Sequence, residues 1–340
     1  MSDAPLENLN PVQREAVAHS GGPALIVAGA GSGKTRILAH RIAHLIREQE
    51  VPPQAILAIT FTNKAAQEMA QRVGGLLGSR VARGMWILTF HSTCVRILRR
   101  EHEILGIPSH FSIYDEADSE RVVKSVLKAL GLDERRFPAR GVLATIRRAK
   151  DNLLSAMEFA EAADSWYEHQ VAEIYLEYAR GLDAAGALDF DDLIMRTVHL
   201  FRSHPAILEH YQERFRHVLI DEYQDTNRAQ YHLVNLLSAK HRNVMVVGDA
   251  DQGIYSWRGA TIQNLLDFEH DYPDARAFML EQNYRSTQTI LEAANALIEH
   301  NVQRKPKTLW TEADRGDPIV RFRAEDEHEE AWFLAVEVQR

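Results

Sequence analysis

Ala24-Leu25-Ile26-Val27-Ala28-Gly29-Ala30-Gly31-Ser32-Gly33-Lys34-Thr35 is the stretch that decides the fold. Five apolar residues read as a buried strand, the small residues after them as a tight turn, and Lys34 onward as a helix. Small residues let successive backbone N–H groups turn inward around a phosphate chain, and the positive end of the helix adds to their field. Lys34 is placed to reach the β- and γ-phosphates of a nucleotide, and the Thr35 hydroxyl to take a position on Mg²⁺. Residues 28–35 thus form a candidate P-loop, with Ala28 standing where the strict pattern has glycine.

Working outward, apolar runs at 24–28, 56–61 and 86–90 alternate with helices expected from Gly33, Asn63 and His91. That alternation predicts an α/β fold with a parallel sheet covered on both faces. From Ala117 to His210 strand signals vanish and apolar spacing turns helical, as in Val122, Val123, Val126, Leu127 and Leu130, and again in Ile174, Tyr175 and Tyr178. An inserted all-helical subdomain is expected there. Runs at 218–220, 244–247 and 277–280 then return the chain to the first sheet. A last strand is expected at 318–322 and a helix from His328, whose apolar face at Ala331, Leu334, Ala335 and Val338 has little left to pack on. The chain reads as cut short inside a further domain.

Composition bounds the partners. The 340 residues carry 39 Lys+Arg against 48 Asp+Glu, a net charge of −9, which excludes binding to nucleic acid or membrane by bulk positive charge. A hydrophobic fraction of 45% and a charged fraction of 26% describe a globular chain of about two domains. The single cysteine, Cys94, excludes an intrachain disulfide and a Cys-based metal cluster, and reads as a small buried hydrophobe. The first residues lack the pattern of a secretory leader, and no apolar run approaches the ~18 residues of a membrane span, so a cytoplasmic protein with no membrane partner is expected.

Val218-Leu219-Ile220-Asp221-Glu222 completes the phosphate site. It is an apolar strand delivering two carboxylates at its C-terminal end, where open α/β sheets bind ligands. Asp221 is expected to hold Mg²⁺ and Glu222 to orient and deprotonate an attacking water, which favours ATP hydrolysis over phosphoryl transfer.

The surrounding motifs are Leu9-Asn10-Pro11-Val12-Gln13-Arg14-Glu15-Ala16, Thr60-Phe61-Thr62-Asn63-Lys64-Ala65-Ala66, Thr89-Phe90-His91-Ser92, Asp189-Phe190-Asp191-Asp192-Leu193, Asp221 to Asn227, Gly248 to Ala260, and Gln282-Asn283-Tyr284-Arg285-Ser286. In order and spacing they resemble the UvrD/PcrA/Rep helicases of superfamily 1, here the N-terminal portion. The resemblance implies an ATP-dependent DNA helicase with ATP and Mg²⁺ as cofactors, built on a RecA-like P-loop NTPase fold, moving 3′-to-5′ on single-stranded DNA. It implies that Gln13 reads the adenine edge and that Arg36 and Tyr284 flank the adenine ring. It also implies γ-phosphate contacts from Gln252 and Arg285, the latter an arginine finger; without the resemblance, Arg285 reads as an ordinary helix-start ion pair.

A translocating motor must grip a strand without reading sequence, and base–aromatic stacking does so at about 1–3 kcal/mol per base. Tyr255 and Trp257, with Arg258 beside them, follow Gln252 directly, so one loop could couple nucleotide state to strand grip. The resemblance adds Phe61, Asn63, His91 and Phe190 to the strand contacts. For the aromatic residues the competing reading is core packing. Arg135, Arg136, Arg140, Arg147, Arg148 and Lys150 form an acid-free basic run that is either a DNA contact or a solvated helix face, and the acidic residues Glu325, Asp326, Glu327, Glu329 and Glu330 are expected to face water.

The resulting organisation is a first motor domain from 1–108 and 212–279, a helical insertion at 109–211, and the start of a second RecA-like domain at 280–340. Single-stranded DNA and single/double-strand junctions are the expected partners, together with repair or replication proteins. Two alternatives stand at this point: a nucleotide-dependent DNA-binding regulatory module without motor activity, and the helicase part of an AddA/RecB-like helicase-nuclease.

Overall fold

The computed structural model describes residues 6, 8–301 and 304–339, without the side chain of Arg258. Residues 1–5, part of the stretch read for a leader, lie outside it. Eight strands are present among these residues: β1 Ala24–Ala28, β2 Ile56–Thr60, β3 Trp86–Thr89, β4 Ser112–Tyr114, β5 Ala187–Asp189, β6 His217–Ile220, β7 Val244–Gly248 and β8 Arg276–Leu280. Six of them form one sheet in the order β3-β2-β6-β7-β1-β8, with every pair parallel.

Alternation along each strand divides the apolar residues between two cores. Ala24, Ile26 and Ala28 of β1 join Ile56, Ala58, Leu219, Met245 and Val247 against helices Lys34–Arg47 and Asn63–Leu77. Leu25 and Val27 join Leu57, Ile59, Val218, Ile220 and Val246 against helices Phe90–Arg100 and Arg228–Ser238, with Cys94 fully buried among them. Both faces are covered, which is why these strands read as continuous apolar runs.

The insertion has its own core, in which Val123, Val126 and Leu127 of helix Glu116–Ala129 meet Ile174, Tyr175 and Tyr178 of helix Trp166–Ala184. It departs from the sequence reading in two ways. It is not all-helical, because β4 and β5 pair in parallel at its two ends. In addition, helices Phe190–Ser203 and Pro205–Arg214, assigned by pattern to the insertion, bury Leu193, Val198, Phe201 and Tyr211 in the large sheet's core. Their apolar stripes match that surface, whose distance along the chain local spacing does not report.

After β8 the chain forms helix Gln288–Ile298 and, at Trp310, an isolated parallel bridge to Gln282. The strand expected at 318–322 is absent: Ile319, Val320 and Phe322 are exposed, and among the described residues no neighbouring strand offers the hydrogen bonds that a strand requires. Helix Glu327–Gln339 forms as expected, with Leu334 and Val338 exposed and the acidic residues in water.

Candidate nucleotide and nucleic-acid site

Because the sheet is all parallel, β1, β6, β7, β2 and β3 end on one edge, and the motif residues that follow them converge there. Residues 29–33 turn between β1 and helix Lys34–Arg47, with Gly31 and Gly33 at φ +69° and +91°, where a side chain would be strained. The Ser32 hydroxyl is buried and donates to the Gly29 carbonyl at 2.7 Å, closing the loop from inside.

Lys34 Nζ lies 2.5 Å from Glu222 Oε2 and 3.4 Å from Gln252 Oε1. Thr35 Oγ1 lies 3.4 Å from Asp221 Oδ2. Glu222 sits in the left-handed region at φ +50°, a conformation that costs a non-glycine residue free energy and persists only when its surroundings hold it. Gln224, unremarked in the sequence reading, supplies that support: its Nε2 donates to Glu222 Oε2 at 2.8 Å and its Oε1 accepts from the Asp249 amide at 3.0 Å. Together with Arg36, Tyr284 and Arg285, the side chains of Lys34, Thr35, Glu222 and Gln252 line a cavity of about 460 Å³, and Asp221 meets it through Thr35. Arg72 of helix Asn63–Leu77 lines it too. Sequence reasoning missed Arg72 because nothing local distinguishes it from any other exposed helical arginine.

Burial and the adjacent Glu222 push the Asp221 carboxyl up to about 6, opposed by Lys34, the Glu222 amide and Thr35. A buried carboxylate with so little compensation, facing a hydroxyl, fits a cation. Among the described residues no group of three or more His, Cys, Asp or Glu is gathered to hold a metal. Mg²⁺ at a nucleotide site takes as few as one or two protein ligands and completes its shell with phosphate and water.

Gln13 has a structural part that the sequence reading did not give it. It is 1% exposed and does not line the cavity. Its Oε1 accepts from the Asn10 amide at 3.1 Å and its Nε2 donates to the Ser32 carbonyl at 2.9 Å, so it locks helix Pro11–Ala18 onto the phosphate loop. Its amide carries a second N–H and a second lone pair beyond these two bonds, so they do not oppose contact with an adenine edge. Arg36 donates to the Asn8 carbonyl at 2.7 Å, and the Tyr284 hydroxyl donates to Gln282 at 2.8 Å. Asn283 covers the loop from above, donating to the Ala30 carbonyl at 2.6 Å, while the Tyr284 amide donates to Gly31 at 3.0 Å.

Along the same edge the aromatic residues form a shelf. Phe61 stacks on Tyr255 with centroids 5.3 Å apart, Tyr255 leans on Trp257 at 6.4 Å, and His91 meets Phe190 edge-on at 5.5 Å. Trp257 is 73% exposed and Phe190 49%, which is not core packing. Two adjoining hollows run past them, one of about 620 Å³ that includes Phe61, Asn63, His91 and Phe190, the other of about 550 Å³ that includes Trp257. Arg96 and Arg99, on the helix that begins at Phe90, line the first hollow. The basic run of the insertion is not one surface: Lys150 is buried between Asp189 and Asp192, Arg140 pairs with Glu120, and Arg147 pairs with Asp191.

The second hollow is lined by Asp151, Asp191 and Asp225. Burial and Asp191 push the Asp151 carboxyl up to about 7, against Arg147 and a 2.5 Å bond from Asn227 Nδ2. A carboxyl whose pKa is raised on folding stabilises the fold at low pH and loses that contribution as pH rises through the folded value. Asp151→Asn is therefore expected to gain stability over the parental chain at pH 8 and to lose most of that advantage by about pH 4, near the unfolded pKa, as measured by urea midpoints at the two pH values.

This P-loop, opposed by an acidic pair after a neighbouring strand and flanked by an aromatic shelf on the same sheet edge, has the form of a RecA-like nucleotide-binding domain. Residues 9–273 match the UvrD/REP helicase N-terminal domain and residues 278–340 the UvrD-like helicase C-terminal domain, and the chain belongs to the UvrD/REP helicase family. It is 52% identical over 332 residues to the ATP-dependent DNA helicase PcrA of Leuconostoc citreum, covering 98% of this chain and 44% of that protein. With the PcrA of Bacillus subtilis (strain 168) it shares 52% over 340 residues, covering 100% of this chain and 46% of the relative. With that of Staphylococcus epidermidis it shares 51% over 338 residues, 99% of this chain and 46% of the relative. The chain thus spans just under half the length of these relatives. No helix among the described residues is long and apolar enough to cross a membrane.

Proposed function

We propose that this chain is the nucleotide-binding part of an ATP-dependent 3′-to-5′ DNA helicase. The reading rests on one observation above all: Gln252, 3.4 Å from Lys34, and Tyr255, stacked on Phe61, lie three residues apart on one loop. Chemistry at the phosphate end and grip on a strand would then share a mechanical element. The Gly29–Gly33 amides and Lys34 would bind the phosphates, displacing Glu222 from the lysine, and Glu222 would accept the proton of the attacking water. Thr35 and Asp221 would hold Mg²⁺, which neutralises phosphate charge. Arg285, at the cavity rim, would add positive charge at the γ-phosphate as it leaves, and Tyr284 and Arg36 would flank the base. Phe61, Tyr255, Trp257 and Phe190 would stack on bases, with Asn63 and His91 toward the backbone.

The experiment is ATP hydrolysis with and without single-stranded DNA, on this chain and on one extended to the length of the relatives. Stimulation of the longer chain by DNA, with weak nucleotide and strand binding but no unwinding by the shorter, is the expected pattern. Hydrolysis indifferent to DNA in both would overturn the motor reading and favour a regulatory module.

A further inference from the structure

The segment that leads away from helix Gln288–Ile298 carries two cations into the described core, and neither belongs to a motif used so far. Lys307 is buried, with Nζ 2.5 Å from Asp249 Oδ1 and also bonded to Asp251 Oδ2. Arg304 reaches the same Asp251 oxygen at 3.3 Å, while its guanidinium donates to the backbone carbonyls of Ile298 and Lys307. Two carboxylates on the loop after β7 are thus matched by two cations from 304–307.

The other oxygen of Asp249 points toward the nucleotide cavity. Asp249 Oδ2 accepts from Gln252 Nε2 at 2.6 Å, which orients the amide so that its Oε1 faces Lys34. The chain of contacts therefore runs Lys307, Asp249, Gln252, Lys34, from the segment after helix Gln288–Ile298 to the phosphate end of the cavity. The same segment touches the phosphate loop elsewhere: the Leu309 side chain lies so close to Gly29 that a Cβ there would stand 2.2 Å from it.

We propose that Lys307 is a positioning residue for Gln252: by neutralising Asp249 it holds the carboxylate that fixes the Gln252 amide, and so links the 304–310 segment to occupancy of the γ-phosphate position. The proposal rests on the reading of Gln252 as a γ-phosphate contact. Without the ammonium, Asp249 loses its counter-ion and Gln252 loses a fixed partner, so discrimination between ATP and ADP falls while binding of the shared part of the nucleotide does not. A lysine that merely docks the segment would weaken both nucleotides equally.

The test titrates a fluorescent ATP analogue and its ADP counterpart, both with Mg²⁺, into this 340-residue chain and its Lys307→Met, Lys307→Arg, Gln252→Ala and Lys307→Met/Gln252→Ala variants. Lys307→Met is expected to weaken ATP about tenfold, the size of one hydrogen bond to a charged group, and ADP less than about twofold. Lys307→Arg restores most of the difference, and Lys307→Met adds nothing once Gln252 is alanine. Equal weakening of ATP and ADP, or independent effects in the double variant, overturns the positioning role while leaving the nucleotide site intact. A parental chain that binds neither nucleotide overturns the proposed function itself, and one that binds ATP and ADP alike removes the γ-phosphate role of Gln252 and with it this inference. Should Lys307→Met not fold, Asp249→Asn/Lys307→Met removes both charges together and carries the same comparison.

Discussion

Glu222→Gln is expected to lower ATP hydrolysis by about 10²–10⁴-fold while leaving Mg²⁺-nucleotide affinity within about threefold. The substitution keeps the shape of the side chain and its bond to Gln224 but removes the ability to accept a proton. The structure also offers Glu222 a simpler part, that of counter-ion to Lys34, since the two lie 2.5 Å apart. The two roles separate cleanly. A counter-ion competes with the phosphates for Lys34, so its removal tightens nucleotide binding and leaves the rate of the chemical step alone. A general base leaves binding nearly unchanged and collapses the rate. Single-turnover phosphate release alongside a nucleotide titration measures both, and a Gln variant that hydrolyses at the parental rate removes Glu222 from the chemistry. The strained backbone at Glu222 makes the general-base role coherent, because such a conformation is retained where the side chain must be aimed.

Lys150→Met is expected to destabilise the fold by about 3–5 kcal/mol, the cost of leaving buried carboxylates without their cation. Lys150 is 1% exposed along its side chain and lies 2.6 Å from Asp189 and 2.8 Å from Asp192. Burial opposes its charge, but Asp192 and Asp189 outweigh burial and hold the ammonium above its ordinary pKa. Asp189 is held below the usual carboxylate range despite burial, by Lys150, the Asp192 amide and the Tyr178 hydroxyl. The triad fastens helix Ala139–Asp151 of the insertion to the turn that presents Phe190 on the shelf. Chemical denaturation of Lys150→Met, and of Lys150→Met/Asp189→Asn/Asp192→Asn, measures the effect: the triple variant is expected to recover most of the loss, since its buried groups are neutral. Equal instability of the two variants would mean that the packing of the lysine stem, and not its charge, carries the effect.

Much of this site was legible in the linear chain. The strand before the phosphate loop falls at Ala24–Ala28 as read, and Lys34, Thr35, Glu222, Gln252, Tyr284 and Arg285 come to one cavity, with Asp221 behind Thr35. They do so because each follows a parallel strand of one sheet, and parallel strands end on the same side. The aromatic shelf was legible for the same reason. Gln13, Lys150 and Lys307 were not. Gln13 was read for an adenine edge alone, and only the fold shows its amide tying Asn10 to Ser32. Lys150 closes a run of surface-like arginines but turns inward. Lys307 lies in no element and pairs with residues 56 and 58 positions away.

The sequence by itself determined the order of the six strands of the large sheet, their parallel arrangement and most of the residues that gather at the loop after β1. These follow from local rules: apolar runs bury, small residues turn, and charged residues after a strand face the open edge. Only the tertiary structure decided which polar groups are paired, which helices belong to which core, and that 318–322 forms no strand. Those outcomes depend on partners brought close by folding, and the spacing of residues along the chain carries no term for a partner that is distant in it.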